Sequence, residues 1–393
     1  MTIKLYEENP YLKECKSTIT NTIKENDDIL IVLDKTIFFP EGGGQGCDTG
    51  YIGNSKILYV FEKDNIIYHK VDVLPADKEV ICTLNWDRRL DHMQQHCGEH
   101  IVSGIIKSMY NGNNKGFHMG DEYVTLDIDI KDFTDEMLYK VEIEANKAIY
   151  ENREIKISLA PNKETAEEFP VRKNITLDKD IRIVEIIDTD CVACCGTHPN
   201  RTGAIGIIKL LKAEKNKGMS RIYLKCGMRA LLDYQTKNNV LTALNQKFSA
   251  ETNTLLSKID ISLNKLDEAM KQNNKLKTSL CSIEAANLIN NNHSNLITKI
   301  YTDKTFNEIQ IVSKEILKDN STIIILCSLK DNKILLTHNT TDDIDCGKLF
   351  KENIKEFNGR GGGSKLTAQG VFTNTDDTSR FYELLYSILN KDN

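Results

Sequence analysis

The chain has 393 residues, a formal net charge of −6, 40% apolar residues and 27% charged residues. This length suits two or three domains, and the overall acidity excludes a protein whose whole surface binds nucleic acid. Residues 1–7 lack the pattern of a signal peptide, and no apolar run is long enough to span a membrane. We therefore expect a cytoplasmic protein without a membrane partner, in which the eleven cysteines stay reduced.

Residues 1–90 have the pattern of a β-rich domain. The apolar run at 29–34 predicts a strand, and the segments 56–61 and 65–70 predict paired strands. Between them, Pro40-Glu41-Gly42-Gly43-Gly44-Gln45 contains three successive glycines, which permit positive φ angles and close backbone approach. Such a segment either cradles an anion or forms a bulged turn. Short strands joined by glycine turns predict a small β-barrel.

The next segment carries the first of two metal-binding patterns. Residues 87–110 predict a helix on which His96 and His100, four residues apart, project from the same face. A later turn repeats this spacing with Cys194 and His198. Two imidazoles on a helix, with a thiolate and an imidazole from a turn, make a tetrahedral zinc set. The alternative is a half-buried helix with two hydrogen-bonded histidines and a small apolar cysteine in a loop.

Strands and helices alternate between these two patterns. Residues 123–130 and 155–158 predict strands, and 181–187 predicts a buried strand that delivers the metal-binding turn. Thr134 is expected to cap a helix with one apolar face. We therefore predict an α/β sandwich over residues 91–230.

A basic segment follows the second metal-binding pattern. Seven Lys and Arg residues lie between positions 209 and 229, with Glu214 as the only acidic residue among them. Such a stripe beside a metal site can steer a phosphate backbone toward it, and Lys212, Lys215 and Arg221 are candidates for that contact. A solvated hairpin with lysines on its exposed face is the alternative, which charge alone favours.

Residues 231–285 have a helical pattern. No proline interrupts this stretch, and its polar face is rich in Lys, Asn, Asp and Glu. The apolar residues step by three and four, and the most regular of them are Leu256, Ile259, Leu263, Leu266 and Met270. This pattern predicts a long helix or a helical hairpin with a coiled-coil seam, which favours a homodimer.

Residues 286–393 alternate β runs with helices and predict an α/β domain. Within it, Arg360 precedes Gly361, Gly362 and Gly363. An arginine inside a glycine loop suits phosphate contact, and Arg360 and the three glycines are candidates for such a contact. A purely structural turn fits the same letters equally well.

Taken together, these motifs resemble those of a known family. The HxxxH and CxxxH pairs, preceded by the glycine segment at 40–45, are similar to the editing domain of alanyl-tRNA synthetase and of its freestanding relatives, the AlaX-type alanyl-tRNA editing proteins. The glycine motifs at 359–363 and 368–370 resemble the rest of the long form. There, a helical linker joins the editing core to the C-terminal domain that these synthetases share with DHH phosphoesterases. The resemblance covers essentially the whole chain.

The resemblance implies an α+β protein with four regions. These are a β-barrel-like domain at 1–90, a zinc-dependent editing core at 91–230, a helical, coiled-coil-like linker at 231–285 and a DHH-associated-type α/β domain at 286–393.

The implied activity is hydrolysis of the ester that links a wrong amino acid, serine or glycine, to alanine tRNA. A synthetase pocket shaped for alanine cannot strongly exclude glycine or serine, so a second hydrolytic sieve is needed. By the family motif, one Zn²⁺ per chain would be held by His96, His100, Cys194 and His198. Zinc would either activate water or orient the aminoacyl group. The alternatives are a non-catalytic tRNA-binding dimer with structural zinc, and a zinc-dependent hydrolase of another nucleic-acid-linked ester.

Four further residues are candidates for the catalytic site. Glu99, beside a ligand on the motif helix, is either a general base or a surface carboxylate. His118 lies in the segment that supplies a polar side chain to the amino-acid pocket of relatives, and it either reads the substrate's hydroxyl or contacts water, or is an exposed loop histidine. Thr36 and Gln45 are expected to line the same cleft.

The metal-binding turn departs from the family pattern, Cys-Gly-Gly-Thr-His. Cys195 replaces the first glycine, and Cys191 lies three residues upstream of Cys194. The sulfur ligand is therefore Cys194 by motif, with Cys191 as the alternative.

Overall fold

The computed structural model describes residues 2–25, 28–292 and 294–390. Over these residues the protein is of the mixed α+β class that the sequence predicts. The chain forms two compact units, Met1–Ala243 and Leu244–Asn393. No helix within the described ranges combines the length and the apolar character needed to cross a bilayer.

The first unit begins with β-structure. Its elements are β1 (Ile3–Lys4), α1 (Leu5–Glu8), β2 (Glu14–Glu25), β3 (Asp28–Leu33), β4 (Lys35–Thr36), β5 (Gly50–Ile52), β6 (Ser55–Lys63), β7 (Ile66–Val71) and β8 (Glu79–Leu84). In the described part of the chain, six strands pair in the order β2-β3-β7-β6-β5-β8, and β8 pairs with β2 to close a barrel. The predicted pairing of the segments at 56–61 and 65–70 is confirmed as the β6–β7 hairpin.

Alternating side chains fill this barrel. Along β8, Val80, Cys82 and Leu84 are buried, whereas the residues between them are exposed, as expected for a strand with one face toward a core. The glycine segment runs along the outside of β6 as a tight turn, in which Gly42 and Gln45 exchange backbone hydrogen bonds.

Helix α2 (Trp86–Tyr110) follows the barrel and carries the HxxxH pattern. The Asn85 side chain caps its start by accepting a hydrogen bond from the Arg88 amide, and Asn111 ends it in the left-handed conformation, φ 54°. Residues 95–106 are all buried. The helix is thus an internal element, and the predicted helix at 87–110 is confirmed.

A buried ion pair joins α2 to the barrel. Arg89 donates hydrogen bonds from Nε and Nη2 to the carboxylate of Asp48, and both side chains are 0% exposed. Arg89 also donates to the carbonyl oxygens of Pro10 at 2.8 Å and Ile37 at 2.7 Å, and Asp48 accepts from the Phe39 amide at 2.6 Å. The first turn of α2 is therefore tied to the chain on both sides of the glycine segment.

The rest of the first unit places two antiparallel sheets against helices. The elements are β9 (Asn114–Met119), β10 (Val124–Ile128), α3 (Asp135–Tyr150), β11 (Ile155–Asn162), α4 (Lys163–Glu167), β12 (Lys179–Ile186), β13 (Asp190–Ala193), a 3₁₀ helix (Thr202–Ile205), β14 (Ile208–Asn216) and β15 (Met219–Cys226). The sheets have the orders β14-β15-β10-β9 and β11-β12-β13. Apolar residues of α2, α3 and both sheets form one core. Thr134 caps α3 as predicted, because its side chain accepts from the Met137 amide.

The route to the metal-binding turn differs from the prediction. The strand predicted at 181–187 is β12, but it does not deliver the turn directly. A hairpin first leads into β13, and Cys194 follows the end of β13. The return strand is only four residues long, which is why its pattern is hard to recognise in the sequence.

The second unit begins at Leu244, within the helix α5 (Gly227–Phe248). Its elements are α6 (Leu255–Asn290), β16 (Leu296–Tyr301), α7 (Phe306–Asp319), β17 (Ile323–Ser328), β18 (Lys333–His338), α8 (Cys346–Asn353), a 3₁₀ helix (Ile354–Phe357), β19 (Arg360–Gly363), β20 (Thr367–Val371) and α9 (Thr375–Leu389). The described strands form a sheet of order β16-β17-β18-β20-β19. Arg360 and its three glycines are therefore the edge strand β19, not the loop or turn that the sequence predicts.

The helical prediction for 231–285 is confirmed as parts of α5 and α6, with a break between them. In α6, the apolar seam residues Leu256, Leu263, Leu266 and Met270 are 58–77% exposed. A coiled coil through this seam stays a prediction.

We expect Arg89→Met to lower the free energy of unfolding by about 3–5 kcal/mol, because it leaves the Asp48 carboxylate buried without a partner. Urea unfolding monitored by circular dichroism measures this change. Lys140→Met is the matched control, since Lys140 pairs with Glu136 on the exposed surface of α3. Equal stability of the two variants would contradict the role given to the buried pair.

A second prediction concerns His69, which lies inside the barrel. Its Nδ1 donates to the Ile31 carbonyl and its Nε2 accepts from Thr36 Oγ1 at 2.8 Å, while burial lowers its pKa to about 4. Below pH about 6.5 the unfolded chain takes up this proton and the folded chain does not, so His69 destabilises the fold by about 1.4 kcal/mol per pH unit down to pH about 4.

The prediction is tested with His69→Gln, which should flatten the fall in stability between pH 7 and pH 4. Chemical denaturation at a series of pH values gives the slope. His118→Gln, which changes an exposed histidine, serves as the control. An unchanged slope in His69→Gln would refute the assignment.

Candidate metal centre

The two metal-binding patterns converge at one place. His96 and His100 project from α2, and Cys194 and His198 come from the turn after β13. The ligand atoms of all four lie within 4.8 Å of one another. Cys194 Sγ lies 3.4 Å from Nε2 of His96 and 3.4 Å from Nε2 of His198. The three histidines are buried, and the cysteine is partly exposed.

These distances fit a metal ion. Tetrahedral bonds of about 2.0 Å to nitrogen and about 2.3 Å to sulfur place the two ligand atoms about 3.5 Å apart, close to the 3.4 Å observed here. Burial alone would raise the pKa of the Cys194 thiol, but the neighbouring imidazoles hold this pKa well below its ordinary value. A thiolate, the form that binds metals, is thereby favoured.

Gln45 orients His96. The Nδ1 of His96 donates to Gln45 Oε1 at 2.9 Å, which leaves Nε2 directed toward Cys194. The same amide donates to Thr197 Oγ1 at 2.8 Å and accepts from the Thr197 backbone N–H at 3.1 Å. Gln45 thus lies at the metal site, and it connects the glycine segment to the helix and to the metal-binding turn.

Asp190 plays the corresponding part for His100. Its Oδ2 lies 3.3 Å from His100 Nδ1, and Arg172 binds its carboxylate through Nε at 2.6 Å and Nη2 at 3.1 Å. Burial alone would raise the pKa of the Asp190 carboxyl, but hydrogen bonds from His100 and Arg172 hold this pKa below its ordinary value. This pair is not predictable from the sequence, because Arg172 and Asp190 match no spacing motif.

The metal-binding turn is held by its backbone. Arg182 Nη1 donates to the carbonyl oxygens of Cys194 at 2.8 Å and Gly196 at 2.9 Å. A Cβ on Gly196 would collide with the His96 ring, so this glycine is required for the approach of turn and helix. Cys195, which departs from the family pattern, is exposed and lies against Gly43.

Cys191 lies apart from the cluster. It is buried in β13 within a small apolar core that includes Ile181 and Ile183. Burial raises the pKa of its thiol to about 11, which disfavours the thiolate. The ligand atoms that converge in the described structure include Cys194 and not Cys191.

Glu99 is buried beside the cluster, so its interpretation as a surface carboxylate is wrong. Its side chain accepts hydrogen bonds from Ser103 Oγ at 2.6 Å and Asn114 Nδ2 at 2.5 Å, both through Oε1. Its Oε2 lies 3.8 Å from His100 Nε2. The burial of Glu99 cannot be predicted from its position beside a ligand on the helix. It depends on the strand β9, which supplies the contact from Asn114.

The structure does not bring His118 or Thr36 to the cluster. Side chains alternate along β9, so Phe117 stacks on His96, with ring centroids 5.4 Å apart, whereas His118 is exposed on the other face. There it lines a surface cavity with Arg221. Thr36 lies inside the barrel and bonds to His69.

The three candidate residues of the predicted basic stripe are all paired with acids, two of which come from other segments of the chain. The ion pairs are Lys212 with Glu214 at 2.5 Å, Lys215 with Asp132 at 2.7 Å and Arg221 with Asp127 at 2.7 Å. The sequence shows only the acid inside the stripe, because the other two partners are distant along the chain. The local net charge around the stripe is therefore less positive than the sequence of residues 209–229 alone indicates. Arg360 and the three glycines of β19 lie in the second unit.

Comparison with known proteins places the chain in a family. The alanyl-tRNA editing protein AlaX-L of Pyrococcus horikoshii is 30% identical over 387 residues, which cover 94% of both chains. The chain belongs to the AlaX family of alanyl-tRNA editing proteins. The alanine–tRNA ligases of Pyrococcus abyssi and Thermococcus kodakarensis are 30% and 28% identical over 98% and 94% of this chain, which spans 43% and 42% of their lengths.

Three family models match parts of the chain. "tRNA synthetases class II (A)" matches residues 9–88, which include the barrel strands. "Threonyl and Alanyl tRNA synthetase second additional domain" matches residues 181–223, which include the metal-binding turn. The DHHA1 domain matches residues 293–391 of the second unit.

We expect Gln45→Ala to weaken metal binding about 10- to 100-fold, because His96 loses the contact that fixes its ring. Competition with a chromogenic chelator measures the affinity. Gln235→Ala, on the exposed surface of α5, is the matched control. Wild-type affinity in Gln45→Ala would show that the His96 ring needs no such support.

Proposed function

We propose that this chain is a trans-editing hydrolase that removes serine or glycine from mischarged alanine tRNA, with one Zn²⁺ per chain. The observation that carries the proposal is the convergence of His96, His100, Cys194 and His198 in a chain that matches an alanyl-tRNA editing protein over 94% of its length. The partner is tRNA, the bond broken is the aminoacyl ester, and the role is quality control in protein biosynthesis.

Zinc is the ion that this donor set favours, since three imidazoles and one thiolate are typical zinc ligands. When bound, zinc supplies a Lewis acid that polarises or orients the aminoacyl ester. Because four side chains complete a tetrahedral set, a protein group is the better candidate for activating water.

Glu99 is our candidate for that general base. Ser103 and Asn114 both bond to Oε1, so Oε2, which lies 3.8 Å from His100 Nε2, is the oxygen that we propose accepts a proton from water. The proposal is supported by the burial of this carboxylate beside His100, one of the four candidate ligands. Gln45 acts as the residue that positions His96.

The tRNA contacts that we propose lie in both units. Lys212, Lys215 and Arg221 in the first unit and Arg360 with residues 361–363 in the second remain our candidates. An exposed lysine can exchange an intramolecular carboxylate for a phosphate at little cost, because surface ion pairs are weak. Within the described residues β19 is the last strand of its sheet, and edge strands have backbone N–H groups that can bind an anion.

We divide the chain into a barrel-like domain at 1–90, an editing core at 91–230, a helical linker at 231–285 and a DHH-associated-type domain at 286–393. The exposed apolar seam of α6 is our basis for proposing a coiled-coil homodimer. The cytoplasm is the compartment that a role on aminoacyl-tRNA implies.

A second candidate function is a non-catalytic tRNA-binding protein with structural zinc. The observation in its favour is that four protein ligands leave no open position, as in structural zinc sites. The two candidates differ in whether ligand variants that still bind tRNA lose hydrolysis.

We expect Cys194→Ala to lower the rate of serine release from serine-charged alanine tRNA more than about 100-fold while largely sparing tRNA affinity. Single-turnover deacylation and filter binding measure the two quantities. Cys191→Ala, which removes a thiol outside the cluster, should keep both. Full activity in Cys194→Ala would refute the ligand assignment, and inactive wild-type protein that retains tRNA would favour the second candidate.

We expect Glu99→Gln to lower kcat about 10²- to 10⁴-fold at unchanged zinc content, because the amide cannot accept the proton of water. Metal analysis of the same samples separates this effect from a loss of zinc. Ser103→Ala retains the carboxylate and should have a smaller effect. Wild-type kcat in Glu99→Gln would exclude it as the base.

A further inference from the structure

We infer that Phe117 sets the upper size limit of the amino acid that the editing site accepts. This inference rests on the proposed function and adds a specificity-determining residue to it. The segment of the chain that was expected to supply a polar side chain to the amino-acid pocket presents an aromatic ring to the metal ligands instead. The basis is the position of that ring between a metal ligand and the glycine turn.

One contact of the Phe117 ring is with His96. The two ring centroids are 5.4 Å apart and the planes differ by 24°, so the rings are stacked. Gln45 holds the His96 ring from its Nδ1 edge. Because His96 is fixed in this way, it gives Phe117 a rigid support.

The glycine turn bounds the ring on another side. A Cβ added to Gly44 would lie 2.5 Å from Phe117 Cδ1, and one added to Gly43 would lie 2.7 Å from Cys195 Sγ. Both glycines have positive φ, 59° for Gly43 and 79° for Gly44. The turn is therefore packed between Phe117 and Cys195, and Phe117 cannot move toward it.

Among the four metal ligands, Cys194 is the least enclosed. The three histidine ligands are at most 3% exposed, whereas Cys194 is partly exposed and its neighbour Cys195 is exposed. Phe117 is itself half-buried. Its ring stacks on His96, and His96 Nε2 lies 3.4 Å from Cys194 Sγ, so an aminoacyl group that reaches the cluster past Cys194 comes close to the Phe117 ring.

A phenyl ring discriminates by size, because it has no group that can read the hydroxyl of serine. Serine and glycine are small, and threonine differs from serine by one methyl group. When two substrates differ by one methylene group in an apolar pocket, their kcat/KM values differ by about 10- to 200-fold. Phe117 thus accounts for an upper limit at the size of serine, and not for rejection of alanine.

The test compares kcat/KM for alanine tRNA charged with threonine and with serine. We expect Phe117→Ala to raise the threonine-to-serine ratio at least about tenfold, because the vacated space admits the extra methyl group. Phe117→Leu, which keeps apolar contact with the turn, should raise the ratio less. Metal content measured on each sample reports whether the cluster survives the substitution.

The matched control is Phe61→Ala. Phe61 is also half-buried and stacked, with its ring 5.2 Å from that of Tyr68, but it lies on β6 of the barrel. It should leave the ratio and the metal content unchanged.

Each outcome decides the inference. A higher ratio in the metal-loaded Phe117 variants but not in Phe61→Ala supports it, and the leucine variant decides if the alanine variant loses its metal. An unchanged ratio in metal-loaded variants, an equal change in Phe61→Ala, or loss of metal from both Phe117 variants overturns it while leaving the proposed function intact. Wild-type protein that releases neither serine nor glycine overturns both.

Discussion

The buried ion pair between Arg89 and Asp48 is the contact on which the metal centre depends. Arg89 lies seven residues before His96 on α2, and Asp48 lies three residues after Gln45, which holds the His96 ring. Because both charges are excluded from water, removing either partner leaves an uncompensated charge in the core. The pair therefore fixes where the helix begins against the barrel, and with it the positions of the ligands that the helix carries.

Further polar contacts hold the individual ligands of the metal centre in place. Gln45 connects His96 to Thr197, so the barrel side of the site and the metal-binding turn share one amide. On the opposite side, Asp190 contacts His100 and is held by Arg172. Each helix-borne ligand thus has a partner from another segment, which limits the number of ring orientations. A site whose ligands come from a helix and a turn needs such bonds to stay tetrahedral.

Local patterns in the sequence are sufficient for most of the predicted helices and strands and for the four residues that converge, but not for the short strand β13 or the edge strand β19. The i, i+4 spacing of His96 and His100, the cap at Thr134 and the paired strands all depend on residues close in the chain. Contacts between distant segments were not predictable. Examples are the burial of Glu99 beneath β9, and the partners of Lys215 and Arg221 in other elements. The sequence also does not show which face of a strand a side chain occupies. This is why we predict His118 at the metal centre, whereas the structure has Phe117 stacked on His96 there.

We propose that metal held by these four side chains supports hydrolysis of mischarged alanine tRNA. The most direct measurement is serine release from serine-charged alanine tRNA by wild-type protein, first as purified, then after chelation and finally after readdition of zinc. We predict fast release that chelation abolishes and that one equivalent of zinc per chain restores, with alanine-charged tRNA hydrolysed far more slowly. Undiminished release by protein verified to be metal-free, or no release by the zinc-loaded protein, would contradict the claim.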